Sequence, residues 1–220
     1  MAGNTPLLEA KSLLCERDDR VLFEDLSFSL SSGQITQIEG PNGSGKTTLI
    51  RILCGLSTAY EGQLFWRGEP MQKRREWFCR EHVYFGHLTG IKAQMSAEEN
   101  LRWMAQCVGL SLSGEALEDA IDRALRRVRL QGFEDVPVYT LSAGQKRRVA
   151  LARLFLDNVP LWVLDEPFTA IDKAGVIELE SMIEEHAQQG GAVVLTTHHE
   201  LAIDKSLLNV VSLDAPERNI

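Results

Sequence analysis

The chain has 220 residues, 44% hydrophobic and 25% charged, with a formal net charge of −8. That is the composition of a globular protein able to bury a sizeable core, of one domain or one domain with a large insert. Its acidic balance excludes the basic footprint of a bulk nucleic-acid binder. The cysteines, Cys15, Cys54, Cys79 and Cys107, are dispersed and form no C-x-x-C pair, which argues against a zinc site and fits a reducing compartment. The start of the chain lacks a basic region followed by an apolar run, and no stretch approaches the ~18 apolar residues of a spanning helix. The expectation is a soluble protein that reaches a membrane only through a partner.

In chain order, the first 30 or so residues alternate weakly and read as extra strands, antiparallel to one another. Short apolar runs predict strands over residues 34–39, 62–66, 82–86, 161–165 and 192–196. Between them lie helical periods. Over 115–130, Leu117, Ala120, Ile121, Ala124, Leu125 and Val128 share one stripe; over 173–189, Val176, Leu179 and Ile183 do the same. Buried strands alternating with helices predict a mainly parallel α/β sheet. Residues from about 87 to 140 hold helices without a convincing strand, as an inserted helical subdomain would. The tail after Leu213 is short and polar.

The strand over 34–39 runs into Gly40, Pro41, Asn42, Gly43, Ser44, Gly45, Lys46, Thr47 and Thr48, which fits the phosphate-binding pattern G-x-x-x-x-G-K-[ST]. Glycines let the backbone turn tightly and aim its N–H groups inward, and the helix that follows adds a positive end. Lys46 supplies a mobile cation for phosphates and Thr47 a hydroxyl for Mg²⁺. A second pattern is the apolar run ending in Asp165 and Glu166. Unpaired carboxylates at the end of a buried strand are costly unless a cation stands near. Asp165 suits a Mg²⁺-bound water, and Glu166 can polarise an attacking water as a general base. A third is Leu141, Ser142, Ala143, Gly144 and Gln145, in which Ser142 and Gln145 fit a capping box at a helix start.

Phosphate loop, capped Leu-Ser-Ala-Gly-Gln helix and Asp-Glu strand, in that order, resemble the ATP-binding cassette (ABC) ATPases. The resemblance extends over almost the whole chain. It implies a P-loop NTPase fold of the α/β class with a mainly parallel core, an N-terminal antiparallel β part and an inserted helical subdomain. The whole of 1–220 is then one ATP-binding domain, its core at about 1–86 and 141–220 and its helical subdomain at about 87–140. It implies ATP and Mg²⁺ as cofactors, with the metal at Thr47 and, through water, Asp165. It implies a homodimer in which Leu141, Ser142, Ala143, Gly144 and Gln145 of one copy close over ATP held by the other. Asp172 takes the place of the D-loop residue at that interface, and His198 that of the histidine at the γ-phosphate, ahead of its neighbour His199.

Two positions depart from the usual pattern. The slot that normally holds a glutamine linking metal and water to the helical subdomain holds His87; Gln94, nearby, is either a substitute or a surface residue. The aromatic ring that usually stacks on adenine is replaced by Arg17, whose guanidinium can also stack on a base. Segments from Cys15, Gln37, Leu141 and Leu164, together with Gly86, His87 and Lys92, resemble the ATP-binding subunits of the cytochrome c maturation, or haem-exporter, system, and both departures and Ala143 fit that branch. This implies a peripheral protein on the cytoplasmic face of a bacterial inner membrane. Its partners are a membrane permease subunit (CcmB-like) and CcmC-like and CcmE-like proteins, and its ATP hydrolysis drives haem export or release of a haem-loaded chaperone. No nucleic acid is expected, and no C-x-x-C-H motif marks this chain as a haem carrier. Three alternatives stay open: the ATPase subunit of another ABC exporter, a soluble ABC ATPase such as an iron–sulfur assembly type, and a regulatory nucleotide-binding module that hydrolyses little.

Overall fold

A computed structural model describes residues 5–213; the polar tail expected after Leu213 and the first four residues lie outside them. Two sheets organise the fold. Strands β1 (Leu8–Arg17) and β2 (Arg20–Leu30) form the antiparallel hairpin expected at the start of the chain, turning through Asp18 and Asp19, both at positive φ. After β3 (Ile35–Glu39) and α1 (Lys46–Leu53), β4 (Glu61–Trp66) returns to pair antiparallel with β1, and β5 (Glu69–Pro70) pairs with β4. The run over 62–66 therefore belongs to the hairpin's sheet and not to the parallel core. Its first half is exposed and its last three residues turn only Leu64 and Trp66 fully inward. That one-sided burial is the pattern of an antiparallel strand with a solvated face.

The parallel sheet has the order β6-β7-β8-β3-β9. After the short helix α2 (Arg75–Arg80) comes β6 (His82–Phe85); β7 (Leu161–Asp165), β8 (Ala192–Thr196) and β9 (Leu208–Ser212) follow later in the chain. Both faces of this sheet are covered. Leu161, Val163, Ala192 and Val194 pack with α1 and the antiparallel sheet, while Trp162, Leu164, Val193 and Leu195 pack with the helices of the other layer. Alternate side chains of one strand thus serve two cores, which explains the unbroken apolar runs of β7 and β8.

Between β6 and β7 lie α3 (Ala97–Cys107), α4 (Glu115–Arg127) and α5 (Ala143–Ala152). Ser96 caps α3, with Glu99 reaching back to the Ser96 N–H at 2.8 Å. The fully buried Asn100 amide holds the preceding loop by accepting from the Lys92 N–H at 2.6 Å and donating to the Ser96 carbonyl at 2.8 Å. The stripe predicted for α4 is buried as expected, although the helix stops at Arg127 because Arg129 turns to positive φ. In the same layer, α6 (Lys173–Gln188) places His186 flat on Trp162, ring centroids 4.0 Å apart.

Two consequences for stability follow. Gly62 has φ +101° where β1 shifts register, and a Cβ there would lie 2.4 Å from the Ser12 carbonyl and 2.7 Å from that of Lys11. Gly62→Ala is expected to destabilise the fold by about 1–3 kcal/mol, read as a lower Tm. Burial pushes the His186 imidazole down from its ordinary 6.5 to about 4, offset only in part by a hydrogen bond to the Pro160 carbonyl. The unfolded chain thus takes up a proton between those values that the folded chain does not. Stability is full above pH 6.5 and falls as pH drops toward about 4. Urea midpoints should decline through that window, and His186→Phe, which keeps the stack but cannot titrate, should flatten the decline.

Candidate functional site

Strands β3, β7 and β8 run parallel, so their C-terminal ends reach one edge of the sheet, where open α/β folds bind ligands. The chain leaves β3 through residues 40–45 and enters α1 at Lys46. Gly45 caps that helix at φ +98°, where a Cβ would press on Leu22 at 3.0 Å. A Cβ on Gly40, at φ +147°, would lie 2.6 Å from Ser44 Oγ and 2.7 Å from the Leu213 carbonyl. Gly40 and Gly45 are thus required both by conformation and by space, and Gly43, at φ +83° with open space around it, by conformation alone. Lys46 Nζ folds across the loop and donates to the carbonyls of Gly40 at 2.7 Å and Pro41 at 3.2 Å. Ser44 Oγ is buried without a hydrogen-bond partner among the described residues. A loop with an unsatisfied hydroxyl, a mobile ammonium and a helix N-terminus is built to receive an anion.

At the end of β7 Asp165 is 2% exposed. Its Oδ1 accepts hydrogen bonds from the Thr196 hydroxyl at 2.8 Å and, more weakly, from the Thr47 hydroxyl at 3.3 Å. A carboxylate and a hydroxyl converging from two elements are hard oxygen donors, the type that suits Mg²⁺. Glu166 follows at φ +51°, a left-handed conformation costing a non-glycine residue about 1–3 kcal/mol. It is held there by hydrogen bonds from both ends. Its N–H donates to the carbonyl and hydroxyl of Thr196 at 3.2 and 3.1 Å, and its carbonyl accepts from Arg147 at 2.6 Å. Glu166 Oε1 then lies 3.6 Å from Nε2 of the exposed His198.

These parts line one cleft of about 720 Å³, bounded by Arg17, Asp18, Arg20, Leu22, Asn42, Gly43, Gly45, Lys46, Thr47, Thr48, His87, Glu166, Thr169 and His198. Arg17 stands at its rim, largely exposed and 3.5 Å from the Asp18 carboxylate. His87 faces the cleft, whereas Gln94 lines a separate depression with Ser96 and Arg102. His199 turns the other way, its Nε2 3.2 Å from the buried Glu180, which separates it from His198.

Leu141, Ser142, Ala143, Gly144 and Gln145 do not line this cleft. The capping box is formed, with Gln145 N–H on Ser142 Oγ at 3.2 Å and Ser142 N–H on Gln145 Oε1 at 2.9 Å, and Ser142 and Ala143 are exposed. Asp172 caps α6 by accepting from the Gly175 N–H at 2.8 Å. Sequence reasoning missed Thr196 and Arg147. Thr196 left a signal, a hydroxyl residue closing an otherwise apolar strand; Arg147 left none, since a basic residue in a polar helical stretch is ordinary.

The family model described as "ABC transporter" matches residues 23–169. The "Cytochrome c biogenesis ATP-binding export protein CcmA" of Hahella chejuensis is 56% identical over 202 residues, covering 91% of this chain and 93% of that protein. The protein of the same description from Vibrio cholerae is 49% identical, covering 96% of this chain and 100% of its own length. Among solved structures, one described as the "ATP binding subunit of ABC transporter" superposes with a TM-score of 0.80 at 27% identity, over 96% of this chain and 89% of that one. A putative ABC transporter ATP-binding protein from Pyrococcus furiosus does so with a TM-score of 0.76 at 26% identity, over 94% and 96%.

Thr196→Val keeps the shape of the side chain and removes the hydroxyl shared by Asp165 and Glu166. With two buried polar groups each short of a partner, denaturant unfolding should show a loss of about 1–3 kcal/mol.

Proposed function

The chain belongs to the ABC transporter family, and from that membership we propose that it is the ATP-hydrolysing subunit of a membrane ABC complex serving cytochrome c biogenesis. The observation that carries the catalytic part of this reading is the single cleft shared by the phosphate loop, Glu166 and His198. The biogenesis part is supported by the names of relatives about half identical to this chain over nearly their whole length. Among the described residues no helix is long and apolar enough to cross a membrane, so membrane attachment falls to partner subunits. The partners we propose are a CcmB-like permease with CcmC-like and CcmE-like proteins, at the cytoplasmic face of a bacterial inner membrane.

In the proposed mechanism, the backbone N–H groups of residues 40–48 and the start of α1 bind the phosphates of ATP. Lys46 exchanges its two loop carbonyls for phosphate oxygens, a switch its flexible stem permits. Thr47 and, through water, Asp165 would hold Mg²⁺, which neutralises charge on the phosphate oxygens when bound. Glu166 orients a water for in-line attack and accepts its proton. His198, beside Glu166, donates to the phosphate oxygen on which charge develops. Arg17, at the rim, stacks on the base.

Residues 141–145 lie outside their own cleft with Ser142 and Ala143 exposed, which supports a pair of copies in which this helix start faces the partner's nucleotide. Asp172 would sit at that contact. The helical residues at about 87–140, entered through His87, would relay closure to the permease. Each cleft is complete only in the closed pair, so ATP shifts the balance toward closure.

Lys46→Ala should abolish ATP binding, checked by nucleotide affinity. Glu166→Gln should bind ATP normally yet stall turnover and accumulate a nucleotide-bound dimer, checked by ATPase rate and by size. The biogenesis reading is tested by tagged purification from native membranes, with mass spectrometry of co-purifying chains and haem absorbance on the same sample. A CcmB-like protein with haem on an associated chaperone is expected; a different permease, or soluble partners alone, would remove that reading and leave the ATPase.

A further inference from the structure

Arg147 lies in the second turn of α5, five residues beyond the Ser142 cap, and is only 6% exposed. Among the described residues its guanidinium makes no ion pair with a carboxylate. It donates instead to two backbone carbonyls on the turn after β7, to that of Glu166 from Nη2 at 2.6 Å and to that of Pro167 from Nε at 3.4 Å. Its plane lies over the fully buried Phe85 ring, 4.3 Å from the centroid, and a second guanidinium, that of Arg153, lies 5.4 Å from the same ring. Phe85 ends β6, two residues before His87. One side chain therefore joins the helix that begins with residues 141–145, the turn that presents Glu166, and the strand that leads to His87.

A buried arginine is expensive to desolvate, and burial pushes this one below the usual guanidinium range, against the attraction of Asp165 and Glu166. Such a group persists where its geometry is needed. The need is local: Glu166 sits at φ +51°, and a strained backbone stays strained only while its surroundings fix it. Thr196 fixes the N–H side and Arg147 the carbonyl side.

We propose that Arg147 is the positioning residue for the catalytic turn, holding Glu166 in its left-handed conformation and making the aim of that carboxylate depend on where α5 stands. The proposal rests on the reading of Glu166 as the general base. Arg147 does not line the cleft; it acts through the Glu166 carbonyl, so a shift of α5 against the core is passed to that carbonyl.

The test uses the assembled complex, with steady-state ATPase kinetics, nucleotide affinity and thermal melting for Arg147→Met, Arg147→Lys, Glu166→Gln and the double variant Arg147→Met with Glu166→Gln. Arg147→Met should lower kcat by up to about 10²-fold, as small misplacements of a reacting group do. KM and nucleotide affinity should change less than about twofold, because only a transition-state role is lost. Arg147→Lys, which keeps the charge but replaces the planar fork by a single ammonium, should recover part of kcat without changing KM. In the Glu166→Gln background, Arg147→Met should add no further loss, since the two act as one unit. Wild-type kcat in Arg147→Met, a loss that repeats in full on the Glu166→Gln background, or a loss confined to KM would each overturn the proposal. If Arg147→Met does not fold, the lysine variant carries the same split between kcat and KM. Normal turnover in Glu166→Gln alone would overturn the reading of Glu166, and with it the proposal; a dead Glu166→Gln beside fully active Arg147 variants would overturn the proposal alone.

Discussion

A carboxylate at the end of a buried strand has to be answered within hydrogen-bonding distance, and the site is arranged around that demand at Asp165. The answer comes from two other elements, the Thr196 hydroxyl at the end of β8 and the Thr47 hydroxyl in the first turn of α1. Each of these contacts requires a particular alignment of strand ends. Leu164 pairs with Leu195 and Asp165 with Thr196 in the parallel ladder, so the register that satisfies Asp165 also sets the Thr196 hydroxyl under the Glu166 N–H. One charge thus fixes the phosphate loop against the turn that carries the adjacent carboxylate.

The two-sided burial of the parallel sheet makes that alignment stiff. Because Trp162 and Leu164 face one core and Leu161 and Val163 the other, a slip of one residue in β7 would invert both sets at once. The antiparallel sheet is less constrained. It is bulged at several points along β1, and its contribution to the cleft is the exposed, charged Arg17, Asp18 and Arg20 together with the buried Leu22. Register-locked strands hold the reacting end of the cleft, and a bulged hairpin borders the other.

What could be read in the sequence was whatever chemistry is written within a few adjacent residues. The phosphate loop, the Asp-Glu ending of β7 and the Ser142–Gln145 capping box are of this kind, as are the α4 stripe and the apolar strands β7 and β8. The pairing of β4 with β1 was not legible, because nothing in residues 61–66 states which of two sheets they join. Strand β9, with Asn209, Val210 and Ser212 exposed, lacks the apolar run that marked its neighbours. Arg147 and Thr196 owe their places to contacts across 19 and 30 residues of chain, and no local pattern encodes such a contact. Position after the strand does not by itself separate His198 from its neighbour; the structure does, placing His198 on the cleft and engaging His199 with Glu180.

The strand that delivers the phosphate loop has a further consequence, for the chain as it is being made. Within the parallel sheet β3 pairs only with β8 and β9, which lie more than 150 residues later. A nascent polypeptide carrying the complete glycine loop therefore has no sheet to mount it on until more than 150 further residues have been made. Such long-range parallel pairing forms slowly, and an unpaired β3 is open to wrong partners in the interval. The same arrangement ensures that prematurely terminated chains, lacking β8 and β9, carry the nucleotide motif as sequence without the folded pocket.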